Sequence, residues 1–171
     1  MGVLQDILKS SMKPKEKQAK LVAVVCDGTI NDDEFIKFFR SASDVEKGVC
    51  ADVMKHVAEE KPEILAPYMN ILVGYINYPV PRVKWGIPEA IGNMAEQFPD
   101  EVVLAIPHLL LNTKDDSTVV RWCAAYALSQ IALYNTKKRK ELLALFSQIV
   151  QKEKNNGVKN VYLKTLKKLS Q

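Results

Sequence analysis

The strongest constraint on this chain is that it repeats itself. Three segments align: PRVKWGIPEAIGNMA from Pro81, TVVRWCAAYALSQIA from Thr118, and NGVKNVYLKTLKKLS from Asn156. A weaker fourth, VEKGVCADVMKHVA, opens at Val45. Measured on Val45, Val83, Val120 and Val158, the steps are 38, 37 and 38 residues. A second echo agrees, because Ala58-Glu59-Glu60-Lys61-Pro62 returns 37 residues later as Ala95-Glu96-Gln97-Phe98-Pro99. A fixed period in this range is the mark of stacked supersecondary units, each unable to bury its apolar face alone.

Each unit reads as two helices. Val120, Cys123, Ala124, Ala127, Leu128 and Ile131 fall on one helical stripe. The small residues Ala124, Ala125, Ala127 and Ala132 allow a neighbouring helix to come close. Apolar segments precede these helices at 35–40, 64–76, 102–111 and 142–150. Turn formers separate the partners: Asn77-Tyr78-Pro79, Lys114-Asp115-Asp116-Ser117 and Lys154-Asn155-Asn156-Gly157. Ser117 or Thr118 is placed to cap the helix after it, and Asn31 or Asp32 the helix that carries Phe35. The N-terminal part adds a pair, residues 3–11 and 15–26, ended by Asp27-Gly28. The expected fold is all-α, an α-α superhelix of about five helix pairs in one domain, with units near 1–28, 32–60, 63–97, 100–134 and 140–171. Pro88 predicts a late start for its helix, near Ile87, with Lys84 and Trp85 left in the turn.

Composition narrows the function. Apolar residues make up 47% of the 171, enough for a packed core. No apolar run approaches the ~20 residues of a membrane span. The first residues lack the apolar stretch of a signal peptide, so a cytoplasmic protein is expected. Cys26, Cys50 and Cys123 stand apart, in neither metal-binding nor disulfide spacing. No phosphate loop, nucleophile elbow or zinc-helix motif occurs. His56 and His108 have no second ligand at metal spacing. No catalytic residue, cofactor, metal or small-molecule substrate is therefore predicted.

The repeat resembles HEAT repeats. The resemblance rests on the two-helix unit, the Asp-containing turn and the Val-Arg/Lys start of the second helix, best seen in VLAIPHLLLNTKDDSTVVRWCAAYALSQIA. It covers residues 32–171, and departs at Pro88 and at Glu46, where a basic residue is expected. It implies a curved stack whose second helices line a concave face and grip another macromolecule. It also implies that Lys84, Arg121 and Lys159 form a structural ladder with turn acids such as Asp115 and Asp116.

Aligning the units puts Lys47, Trp85, Trp122 and Asn160 in one ridge, with Glu89 and Tyr126 one turn further on. Two tryptophans there suit a protein-binding surface, since Trp is enriched at binding hot spots. They equally suit packing between units. The C-terminal residues 137–171 carry ten Lys or Arg against two Glu, whereas residues 1–136 carry fourteen against eighteen acids. Lys137, Lys138, Arg139, Lys140, Lys164 and Lys168 are thus candidate phosphate contacts, or the solvated face of a terminal unit. The main expectation is a non-catalytic protein-binding scaffold. The alternative is a nucleic-acid-binding protein similar to HEAT-like DNA-alkylation-repair glycosylases, in which Trp85 would stack on a base and Glu89 would stabilise positive charge on the sugar.

Overall fold

The computed structural model describes residues 2–170. Among them there is no strand, and the chain is all-helical. The helices are α1 (Val3–Lys9), α2 (Pro14–Cys26), α3 (Asp32–Ser41), α4 (Asp44–Glu60), α5 (Met69–Val73), α6 (Pro81–Met94), α7 (Ile106–Asn112), α8 (Thr118–Tyr134), α9 (Thr136–Lys152) and α10 (Asn156–Leu169). None is long and apolar enough to cross a membrane.

Local chemistry sets the boundaries. Ser43 and Glu46 form a reciprocal capping box at α4. Asn31, Ser117, Asn135 and Asn155 each accept a backbone N–H at the start of α3, α8, α9 and α10. Gly28, at φ 81°, supplies the left-handed residue after α2. The apolar stretch at 64–76 is not one helix. It runs through two 3-10 turns, Pro62–Ile64 and Ala66–Tyr68, before α5. Pro67 has no N–H to give an α-helical ladder there. Glu101–Ala105 is likewise 3-10, and Pro107 opens α7 at a position that tolerates it.

The helices alternate in role. The even-numbered ones touch one another in chain order, α2 on α4, α4 on α6, α6 on α8 and α8 on α10, while each odd-numbered helix packs beside its own even partner. The even helices approach closely through small residues. A Cβ on Gly86 would lie 2.5 Å from the backbone carbonyl carbon of Ala51, and one on Gly92 would lie 2.9 Å from the Tyr126 ring. The apolar core runs along this contact, from Leu21 and Val25 through Met54, Ile87 and Leu128 to Tyr162.

Two expectations need correction. Pro88 does not delay its helix: α6 begins at Pro81 and carries Lys84 and Trp85 inside it, with Pro88 buried against the core. Tertiary packing of α6 between α4 and α8 outweighs the lost hydrogen bond, which costs about 3 kcal/mol in an isolated helix. The first repeat also begins one residue later than the valine alignment predicts. Val45 is 77% exposed, whereas Val83, Val120 and Val158 are 0–1% exposed. A step of 37 puts Cys50, Val53, Met54 and Val57 under Ile87, Ala90, Ile91 and Met94, all buried. In that register Lys47 matches Lys84 and Arg121, and Gly48 matches Trp85.

Candidate functional site

The corrected register removes Lys47 from the exposed ridge. Its side chain is 6% exposed, its ammonium donates to the Ala42 carbonyl at 2.6 Å, and it lies 5.8 Å from the centre of the Tyr78 ring. Lys84 and Arg121 do the same one and two units on. Lys84 Nζ reaches Asp115 Oδ2 at 2.7 Å. Arg121 Nε reaches Glu153 Oε2 at 3.0 Å, while its Nη1 donates to the carbonyls of Asp115 and Asp116. Tyr78, Asp115 and Glu153 occupy equivalent turn positions. Each basic residue thus holds the turn of the following helix pair. For Asp115, burial works against ionisation, but Lys84, the Ser117 amide and Arg121 overcome it and lower the carboxyl below its usual range. Glu153 follows the same balance, with the Asn155 amide and Arg121 lowering it. Lys159 occupies the equivalent position in α10 and is half-buried.

The two tryptophans are equivalent in register and different in surroundings. Trp122 is 38% exposed and lies flat against Tyr126, ring centres 5.8 Å apart and planes 1° apart. Trp85 is half-buried, and its Nε1 is enclosed without a hydrogen-bond partner among the described residues. Only Trp122 offers an open indole. Asn160, on α10, is exposed.

Beyond Trp122 the even helices meet in a polar seam. Glu89 is half-buried, 3.6 Å from the Lys55 ammonium, and accepts a hydrogen bond from the Cys123 thiol at 3.3 Å. Burial, then the Glu89 carboxylate, pushes that thiol far above the ordinary range, so it is held protonated. Asn93 donates to the Lys55 carbonyl at 3.0 Å and accepts from the Tyr126 hydroxyl. Burial raises the Tyr126 phenol first, then the charges of Glu89 and Glu59. A hollow opens next to this network, walled by Glu59, Asn93, Glu96, Tyr126, Gln130 and Tyr134 and floored by Gly92. Sequence reasoning missed Lys55, Glu59, Glu96 and Tyr134 as members. The signal for the two acids was present, because Glu59 and Glu96 are 37 residues apart in the second echo.

The basic residues divide. Arg139 is occupied: its Nε and Nη2 donate to the Ala132 and Leu133 carbonyls, capping the end of α8. Lys138 lies 3.6 Å from Glu141. Lys137, Lys140, Lys164 and Lys168 are exposed, the first two on α9 and the others on α10. His108 belongs to a polar cluster in which its Nδ1 is 3.2 Å from Asn77 Oδ1, and Asn112 donates to the Ile76 carbonyl. His56 lies 3.6 Å from Glu59. Among the described residues no group of three or more His, Cys, Asp or Glu side chains is arranged to hold a metal.

No protein-family model matches the chain. A search of the curated proteins likewise finds no match.

Proposed function

We propose that the chain is a HEAT-like α-solenoid acting in the cytoplasm as a non-catalytic interaction module, and that it binds another protein along the seam of its even-numbered helices. The observation that carries this reading is Trp122, exposed and stacked on Tyr126, beside a hollow built from three successive helices. A rigid, half-desolvated aromatic pair provides large contact area at low entropic cost. The order of contacts α2–α4–α6–α8–α10 and the basic rungs between units support the solenoid. The pairing of Glu89 with Lys55 and Cys123 supports a structural carboxylate rather than one free to meet a reacting sugar.

The test is affinity capture with wild-type protein and the Trp122→Ala variant side by side. Trp122→Ala is expected to keep helicity and to shift the unfolding midpoint little, since the indole is partly solvated, while a specific partner is lost from the capture. Unchanged capture, or an unfolded variant, refutes the reading. Duplex DNA retarded at low salt and released steeply as salt rises would move the chain to the nucleic-acid class, with Lys137, Lys140, Lys164 and Lys168 as the contacts.

A further inference from the structure

The seam carries an ordered change of charge. At equivalent positions along α4, α6, α8 and α10, one row reads Asp52, Glu89, Tyr126, Lys164, and the row one turn later reads His56, Asn93, Gln130, Lys168. Two of the acids are already neutralised. Arg82 pairs with Asp52 at 2.7 Å, and Lys55 lies 3.6 Å from Glu89. Glu59 and Glu96 are both exposed and both line the hollow, and His56 lies 3.6 Å from Glu59. At the far end Lys164 and Lys168 are exposed. Trp122 and Tyr126 lie between the two.

We propose that this seam takes an extended peptide segment of a partner that is basic at one end and acidic at the other. Its cationic side chains enter the Glu59–Glu96 hollow against the Tyr126 and Tyr134 rings, and an apolar side chain packs on Trp122. Its acidic residues meet Lys164 and Lys168. The inference rests on the protein-binding reading above and adds the chemistry of the bound segment. Its length follows from geometry. Helices packed about 8–10 Å apart put α4 about 27 Å from α10, a span of about eight residues of extended chain.

Labelled probe peptides of about 12 residues test it by fluorescence anisotropy near physiological salt. One probe has a block of Arg and a block of Glu joined through Leu, in either order. The other has the same composition with Arg and Glu alternating, so net charge is equal. The expected result is a block peptide, in its better order, bound at least about tenfold more tightly than the alternating one. Glu59→Lys with Glu96→Lys, and separately Lys164→Glu with Lys168→Glu, each weaken it about tenfold. Lys137→Glu with Lys140→Glu, on α9, leaves it within about twofold. Equal binding of the two probes, no binding by either, or equal loss in the α9 variant overturns the proposal. Trp122→Ala separates the two levels: if it abolishes binding while the probes remain equivalent, the seam stands as a binding surface and the charge order falls.

Discussion

Tyr162 is a residue whose side chain is only partly provided for. It is fully buried, its ring centre 5.0 Å from that of Phe146, yet its hydroxyl has no hydrogen-bond partner among the described residues. Removing a buried, unpaired hydroxyl while keeping the ring deletes a desolvation cost. Tyr162→Phe is therefore expected to be neutral or to stabilise by up to about 1 kcal/mol in urea unfolding. A loss greater than that would mean the hydroxyl is bonded. Burial, then the Glu153 charge, raises the Tyr162 phenol well above its ordinary value. Above pH ~10 an unfolded tyrosine gives up its proton while the folded one keeps it, so the folded state binds more protons and stability falls as pH rises. The Tyr162→Phe variant should show a shallower alkaline decline. Lys47 carries a different lesson. A lysine read as a surface anchor is buried because the Ala42 carbonyl and the Tyr78 ring together replace its water.

Between elements, two contacts decide how one helix pair meets the next. The α4–α6 contact depends on Gly86, where any Cβ would collide with backbone of Ala51 that has no rotamer to yield. Ala is otherwise the better helix former by ~1 kcal/mol, but the clash is the larger effect. Gly86→Ala is expected to destabilise by about 2 kcal/mol, whereas a gain in unfolding midpoint would show that α4 can move aside. The α8–α10 junction depends on Arg121. Arg121→Leu leaves the buried Glu153 carboxylate without its cation and frees the Asp115 and Asp116 carbonyls, at an expected cost of about 2–3 kcal/mol. The pH dependence has a definite sign. Glu153 is held below its ordinary value when folded, so its contribution is complete above that value and is lost as pH falls through the folded one. Arg121→Leu should flatten this acid limb, and an unchanged profile would remove the ion pair from the account.

At the scale of the whole molecule, α10 differs from the helices before it. The position held by Gly92 in α6 and Ser129 in α8, where the next helix comes close, is Lys167 in α10, and that lysine is exposed. A charged side chain there disfavours the close approach of another helix. Ser129 is buried beneath the C-terminal pair. A chain cut before Thr136 is expected to expose the covered face of α8 and to associate, seen as a shift to larger species in size exclusion. Ser129→Lys in the cut chain should recover monomer. In the full chain the same change should destabilise by several kcal/mol, because the ammonium would be buried. A monomeric cut chain without the lysine would show that α8 needs no cover.

How much was legible follows from which interactions are local. Most of the helices, the caps at Asn31 and Ser117 and the Gly28 stop are set by residues within a turn of each other, so periodicity and turn chemistry carry them, whereas the 3-10 turns at 62–68 and 101–105 escaped the apolar pattern. The ladder was half legible. The resemblance to HEAT repeats implied turn acids as partners for Lys84 and Arg121, but Glu153 follows only from the contact between α8 and α10. The register at Val45 is ambiguous in sequence because Val45 mimics the buried Val83 and Val120, while the step of 37 is carried by the second echo at Ala58 and Ala95.

By itself, then, the sequence determined an all-helical chain with a 37–38-residue period and a basic end, because those depend on spacing and composition. Tertiary structure decided which of two equivalent tryptophans is open, that Lys47 is covered, that Pro88 lies within a helix, and that Glu59, Glu96 and Tyr134 share a hollow. Those outcomes depend on what each neighbouring helix covers. Burial is a property of the packed pair, and no single helix contains the information that fixes it.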